Sequence, residues 1–473
     1  MTAGTSAASA GGAASPAGSP GPLTDAEVER LRSDFPILGR EVGSQPLAYL
    51  DSGATAQRPR RVIRAMAEFV ERSNAGVHRG AHTLASEATE AFEGARARVA
   101  RFVGAPAPEA IVFTSGTTAA VNLLTIALRN LAGGETAGPV PSSAPGLVIR
   151  PGDRIVVTEA EHHANLVPWQ RLAAQLGAEL AWVPVLPNGR LDLAQLDELV
   201  TERTRVLAFT HVSNVTGAVT DVQAFVRAAH QVGAIAVMDA AQSAPHLPLC
   251  LGDQPASGDV SAAAGVPLGV DFAAFGAHKM FGPGGIGALY GRPELLAALP
   301  PAFTGGGMVQ AVTMRGTTYL PAPARFEAGT QPVAEAVGWA AALDYLDEDV
   351  GGMARIAEYE ERLTARLLEA VAGVPGVRLL GPADQTDRLG VASLAIDGVH
   401  PHDAGQVLDA AGIAVRVGHH CAMPVHRKLG VRASTRASLA FYNTLAEIDR
   451  FGQALAQVRP YFGLTGAAGA EGE

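Results

Sequence analysis

Between Ile111 and Phe275 the chain alternates two kinds of segment, and few folds accept that pattern. Short apolar runs, bounded by Gly, Pro and polar residues, fall at Ile111–Thr114, Arg154–Thr158, Leu180–Pro184, Val206–Thr210, Ala234–Asp239 and Val270–Phe275. Hydrophobicity that is nearly continuous over so few residues predicts strands buried on both faces. Segments with helical spacing of apolar residues lie between most of them, at Thr117–Leu131, Asn165–Gln175, Leu193–Val200 and Val222–Val232. The series predicts an α/β fold with a mainly parallel sheet covered on both faces. Ligands of such sheets sit outside the carboxyl ends of the strands. The residues just beyond each apolar run are therefore the first to read for chemistry.

The last run stops at Gly276, and the Gly282–Gly285 cluster lies a few residues on, so Lys279 sits where a core strand becomes a turn. The chain is nearly lysine-free, with Lys428 the other lysine. A lysine beside a buried strand can lose its proton by desolvation and form a Schiff base with an aldehyde. The plainer alternative is a surface lysine at a strand end. Ser115–Gly116–Thr117–Thr118 succeeds the first run and opens a helix, where glycine, hydroxyls and free amides suit a phosphate. An ordinary Ser or Thr cap is the alternative there. Asp239 can hold a cationic ring nitrogen or cap the next helix, and Gln242 lies about one turn on. His162 and His163 come after the run ending at Thr158; an imidazole can stack on a flat ring or stand as a polar loop residue. Asn214 comes after the run ending at Thr210. These strand ends converge on one flat, phosphorylated, aldehyde-bearing ligand, pyridoxal phosphate (PLP).

Cys421 lies in the stretch Arg416–Ala422, RVGHHCA. Glycine and proline flank it, so a mobile loop is expected. Arg416 and either neighbouring histidine can lower the thiol pKa and make a nucleophile. Zinc is the rival, since His419, His420 and Cys421 are all ligand types. Adjacent residues rarely converge on one metal, and no CxxC accompanies them, so no metal is assigned. Cys250 reads as a small core residue. A net charge of −10 without a basic stripe argues against nucleic acid as the main partner. No apolar run is long enough to span a bilayer. The first basic residue is Arg30, which is not the charged start of a signal peptide. Two cysteines do not make a disulfide framework. A cytoplasmic protein with reduced thiols is expected.

The length of 473 residues, 48% of them hydrophobic, suits two domains. Residues 1–22 are Ala, Gly, Ser, Pro and Thr rich and are expected to be disordered, as is the tail 465–473. Residues 23–46 hold a helix capped by Thr24 or Asp25, with Val28, Leu31 and Phe35 on one face, joined to the small domain. Residues 47–320 form the large PLP-binding domain, beginning with a strand at Leu47–Asp51 and helices at Pro59–Ser73 and Thr83–Val103. Pro139–Gly152 and Gly252–Gly269 read as surface insertions without chemistry. Residues 321–464 form a smaller α+β domain carrying Cys421. Its helices are expected at Val333–Leu346, Met353–Val374, Asp403–Ala411 and Leu445–Val458. Its strands are expected at Val377–Leu380, Ala392–Ile396, Ile413–Val417 and Thr435–Ala440.

A set of motifs runs through this framework: YLDSGAT at Tyr49–Thr55, VHRG at Val77–Gly80, EHHANLVPWQ at Glu161–Gln170 and THVSNVTG at Thr210–Gly217. DAAQ at Asp239–Gln242, HK at His278–Lys279, RFEAGT at Arg325–Thr330, RVGHHCAMP at Arg416–Pro424 and TRAS at Thr435–Ser438 complete it. In these the chain resembles the SufS-type (group II) cysteine desulfurases, fold-type I PLP enzymes of the class V aminotransferase superfamily, over roughly Leu23–Leu464. The resemblance implies that Lys279 is the Schiff-base lysine and that Asp239 pairs with the pyridinium nitrogen. It implies that His162 stacks on the ring and shuttles protons, and that Asn214 and Gln242 contact the ring hydroxyl or the substrate carboxylate side. Thr117, Thr118 and His278 would hold the phosphate, and Thr330 would reach the phosphate of a neighbouring subunit in a homodimer. Arg436 would bind the substrate carboxylate, with Arg416 beside it, and Cys421 would take sulfur from L-cysteine as a persulfide. The product would be L-alanine, and the sulfur would pass to a SufU- or SufE-type acceptor for iron–sulfur cluster assembly. A selenocysteine lyase, or a weakened PLP-binding partner in sulfur assembly, are the alternatives. The chain departs from the pattern at Gly276, where many relatives have Ser, and at Ala119, where many have an acidic residue.

Overall fold

The structure is a computed structural model that describes residues 21–253 and 265–464. The two expected tails, apart from Gly21 and Pro22, and most of the Gly252–Gly269 insertion lie outside the described residues.

A seven-stranded sheet organises the chain. Its strands are β1 (Ile111–Thr114), β2 (Arg154–Thr158), β3 (Glu179–Val183), β4 (Thr204–Thr210), β5 (Ile235–Asp239), β6 (Phe272–Gly276) and β7 (Gly287–Gly291), in spatial order 1-7-6-5-4-2-3. Neighbours from β6 to β3 are parallel, while β7 runs antiparallel to both β6 and β1. The sequence pattern does not announce β7. Its run is short, and glycines sit at both ends.

Successive residues of β4 explain the two-sided burial. Val206 and Ala208 face one hydrophobic cluster, while Leu207 and Phe209 face another, and all four are fully buried. Helices α4 (Thr117–Ala132) and α5 (Val167–Leu176) cover the first face. Helices α3 (Thr83–Phe102), α6 (Val222–Gln231) and α7 (Val333–Asp344) cover the second. Trp339 of α7 packs against Phe113 and Phe275 at ring-centroid distances of 6.1 and 5.9 Å.

A second sheet of four antiparallel strands comes later in the chain, β8 (Val377–Leu380), β9 (Val391–Ile396), β10 (Arg416–Gly418) and β11 (Ser434–Ser438), in order 8-9-11-10. Helices α8 (Met353–Ala372), α9 (Pro401–Ala410) and α11 (Leu445–Tyr461) pack around it, and a short helix α10 (Met423–Lys428) succeeds the Cys421 loop.

Three local expectations change. Helix α1 (Asp25–Arg32) is capped by Thr24 in a capping box with Glu27 and buries Val28 and Leu31, but Phe35 lies beyond its end. Phe35 instead stacks with Phe281, Phe441, Tyr442 and Tyr345, tying the N-terminal segment to the turn after Lys279 and to the second sheet's flank. The run Ile413–Val417 breaks at Val415: Ile413–Ala414 pairs in parallel with Ala48–Tyr49, while Arg416–Gly418 joins the second sheet. Pro139–Gly152 is not a surface insertion throughout. Leu147 and Ile149 are buried, and a Cβ at Gly146 would stand 2.4 Å from the Arg205 carbonyl oxygen. That segment plugs the amino end of β4 and β5. Among the described residues no helix is long and apolar enough to cross a membrane.

Candidate active site

The carboxyl ends of β1, β2, β4, β5 and β6 open into one cleft of about 540 Å³. Ser115–Thr118, His162, Asn214, Asp239, Gln242, His278 and Lys279 line it from the large sheet, and Arg416, Cys421 and Arg436 line it from the second. Every sequence-predicted site residue is there except Thr330. That residue is exposed in a neighbouring depression with Phe303 and Gln331, and this depression meets the cleft at Ser115 and Ala119.

At one end, Gly116 precedes α4 with φ 142° and no side chain caps the helix. A Cβ at Gly116 would meet open space, so the opening of α4 presents uncapped backbone N–H groups to the cleft. The turn rests on Gly287 of β7, where a Cβ would stand 2.6 Å from the Gly116 Cα. Only glycine permits that close approach. A Cβ at Gly276 would stand 3.2 Å from Thr117 Oγ1, so the departure at that position leaves room beside the threonine.

In the middle, Asp239 is buried and accepts one hydrogen bond through Oδ1, from the Ala241 N–H at 2.9 Å. Burial raises its pKa, and the nearby Lys279 opposes that. Lys279 stands in the tight turn Ala277–Lys279, and burial pushes its amine down to about 8 despite the attraction of Asp239. His162 accepts the Ala164 N–H on Nδ1 at 3.0 Å, so its proton belongs on Nε2; burial, then Lys279, pushes its pKa down to about 3. Beneath it the fully buried Glu161 accepts from the Thr158 hydroxyl, the Thr210 N–H and the Asn165 amide at 2.6, 2.7 and 2.6 Å. Glu161 thus ties β2 to β4 under the His162 turn, and burial lifts its pKa to about 8.

At the far end, Arg436 of β11 is buried, donates to the Asn214 carbonyl at 3.0 Å and reaches Asp51 at 3.3 Å. Its Nε–H has no partner among the described residues. Arg416 is half exposed and stands 3.9 Å from the same Asp51. Gln242 donates to the Gly53 carbonyl at 2.9 Å and Asn214 to the His420 carbonyl at 2.7 Å, so both amide groups brace turns of the cleft wall.

The Cys421 loop is pinned rather than free. His420 and Cys421 both adopt left-handed backbone conformations, with φ 49° and 55°. The His163 N–H donates to the Cys421 carbonyl at 2.7 Å, and the Met423 N–H donates to His163 Nε2 at 3.2 Å. A buried chain holds the loop from behind. His426 Nδ1–H donates to the Ala422 carbonyl at 2.9 Å, which leaves its Nε2 to accept from the Ser434 hydroxyl at 3.0 Å. The Ser434 oxygen then accepts from His420 Nε2–H at 2.9 Å. His420 Nδ1 is left as a buried lone pair without a partner among the described residues. Asp51, Glu161, Gly287, Ser434 and His426 are site residues that sequence patterns alone do not single out. Asp51 and Glu161 lie inside quoted motifs; Ser434 and His426 become neighbours of His420 only through folding.

The pattern of the family described as Aminotransferase class-V matches residues 48–451. The chain belongs to that family. "Probable cysteine desulfurase 2" of Mycobacterium leprae is 48% identical over 93% of this chain and 99% of that protein. The apo structure of a cysteine desulfurase from Thermococcus onnurineus superposes with a TM-score of 0.79 at 36% identity, over 91% of this chain and 97% of that one. The cysteine desulfurase CsdA (S-sulfonic acid) of Escherichia coli superposes with a TM-score of 0.77 at 35% identity, over 92% and 98%. These relatives place the chain among the cysteine desulfurases, and it is an enzyme.

Enzymes of this family depend on PLP, and the residues present fit that group. The uncapped amides after Gly116 suit a dianionic phosphate, Asp239 keeps an oxygen for a ring N–H, and the Lys279 amine is desolvated beside it.

Proposed function

We propose that the chain is a SufS-type cysteine desulfurase that converts L-cysteine to L-alanine and leaves the sulfur as a persulfide on Cys421. The observation that carries this reading is convergence: Lys279, Asp239, Arg436 and Cys421, from four separate segments, line one cleft. In this reading Thr117, Thr118 and His278 hold the cofactor phosphate, Asp239 its ring nitrogen and Lys279 its aldehyde carbon, with His162 against the ring face. PLP, when bound, takes the substrate's amino group and draws electrons from the α-carbon, weakening the C–H and then the C–S bond.

The chain's own residues do the rest. The guanidinium of Arg436, with an unpartnered Nε–H, binds the substrate carboxylate and sets the side chain toward the Cys421 loop. Lys279, with its amine near pH 8 partly neutral, removes the α-proton as general base. The Cys421 thiolate takes the sulfur: an S–S bond forms, the C–S bond breaks with its electron pair left on carbon, and the carbon fragment takes one proton at Cβ and regains one at Cα to become alanine. His162, neutral with its proton on Nε2, would lie against the ring face and fix its plane. The loop's left-handed turn presents the persulfide to the thiol of a SufU- or SufE-type acceptor, in service of iron–sulfur cluster assembly in the cytoplasm. The working unit is a homodimer in which Thr330 completes the phosphate site of the neighbouring copy.

The test is incubation of the purified protein with L-cysteine, with and without such an acceptor. Without a reductant a persulfide should be trapped on Cys421, and with a thiol reductant added alanine and sulfide should appear in equal amounts. Cys421→Ser should keep cofactor binding and lose sulfide release; undiminished turnover in that variant would reject the role.

A further inference from the structure

His163, His419 and Cys421 present ligand atoms that all lie within 4.8 Å of one another at half-buried positions, and Cys421 also lines the cleft. They come from two distant parts of the chain, the turn after β2 and the loop between β10 and α10. The seam between those parts is already closed by the His163 N–H to Cys421 carbonyl hydrogen bond of 2.7 Å. The two imidazole rings lie with centroids 5.6 Å apart. His420 is not part of the set, because its Nε2 is committed to Ser434. The ligands are therefore not all neighbours in sequence: His163 comes from the turn after β2.

Two imidazoles and a thiolate are the donors of an open zinc site. Bonds of about 2.0–2.1 Å to nitrogen and about 2.3 Å to sulfur set tetrahedral ligand atoms roughly 3.3–3.6 Å apart. The present spread of up to 4.8 Å is wider than that, so the side chains close on the ion as it binds. We infer that His163, His419 and Cys421 bind a thiophilic divalent cation, Zn²⁺, which occupies the sulfur-accepting thiol and halts transfer.

The exchange balances simply. The S–H bond of Cys421 breaks, its proton leaves to solvent, and a sulfur–zinc bond forms. Both imidazoles coordinate in the neutral state. Where coordination uses His419 Nδ1 or His163 Nε2, that nitrogen gives up the backbone hydrogen bond it now accepts, from Cys421 N–H at 3.1 Å or from Met423 N–H at 3.2 Å. Both are long, and each is weaker than the metal bond that replaces it. Binding releases one proton to solvent.

The experiment titrates the holoenzyme with Zn²⁺ against a chromogenic chelator and examines the bound metal by X-ray absorption. One zinc per chain is expected, with one sulfur and two imidazole nitrogens in its shell. His163→Ala, His419→Ala and Cys421→Ser should each weaken binding at least tenfold, and Cys250→Ala should not. Zinc should stop persulfide formation and a chelator should restore it. PLP absorbance confirms that each variant is folded, and His163→Gln serves if the alanine variant is not. No saturable binding, a sulfur-free shell, or unchanged affinity in the histidine variants overturns the site. The inference adds to the desulfurase reading without depending on it for binding, since alanine release and zinc stoichiometry are measured separately.

Discussion

Lys279 ends a core strand with an amine that burial has brought down to about 8 from an ordinary 10.5. Its value in the folded chain lies below that in the unfolded chain, so between about 8 and 10.5 the unfolded chain binds the extra proton. Stability of the cofactor-free protein should therefore gain from Lys279 as pH rises through that window, the gain being absent below it. Denaturant unfolding of the apo-protein at pH 8 and pH 10 should show this difference, and Lys279→Met should remove it. Equal pH dependence in the two proteins would contradict the burial argument. The single-turnover rate of α-proton removal should likewise climb through about pH 8 and level off. Lys279 is legible in the sequence because lysine is so scarce here and because a glycine-punctuated apolar run precedes it. Its partner Arg436 is legible only through resemblance, since nothing local distinguishes an arginine within TRAS.

At the scale of elements, two devices hold the reacting groups. The turn between β1 and α4 lies on Gly287, in a strand that no sequence pattern announces. Gly287→Ala would put a methyl 2.6 Å from the Gly116 Cα, pushing the turn off the sheet edge. PLP affinity should fall at least tenfold while the fold persists, as measured by cofactor titration and circular dichroism; unchanged affinity would show that the turn is held elsewhere. The second device is the relay from Ala422 through His426 and Ser434 to His420. Ser434→Ala leaves the Nε2 atoms of His420 and His426 without a partner in a buried setting, which should lower stability by about 1–3 kcal/mol. Persulfide formation should slow more than cofactor binding weakens, and Ser434→Thr should restore both. Equal loss in the two measurements would reduce the relay to a packing role. Flanking glycine and proline predict a mobile loop at Cys421. Such residues say nothing of the hydrogen bonds that the loop's backbone makes with His163 and Asn214, and those bonds decide the matter.

For the molecule as a whole, the cleft lies between two sheets, and its walls come from early, middle and late segments of the chain, at Gly53, Lys279 and Cys421. Thr330 sits outside its own cleft, and Phe303 in the same depression is 52% exposed, as suits a surface completed by a second copy. Sedimentation should give twice the chain mass at micromolar concentration. A persistent monomer with full activity would remove Thr330 from the site. Dilution should lower activity and PLP retention together if the neighbouring copy supplies part of the phosphate site.

The order of residues is enough to give the alternation of strands and helices, the parallel core and the polar residues at the strand ends. Each of these arises from local periodicity and from which side chains tolerate burial. It also singles out Lys279, Asp239 and Cys421, which the fold brings into one cleft. Folding alone sets β7 between β1 and β6, packs Gly146, Leu147 and Ile149 against the amino ends of β4 and β5, and brings His163 to His419 and Cys421. Those facts depend on contacts between residues far apart in the chain, where one backbone's approach or one hydrogen bond selects the arrangement and no local pattern records it.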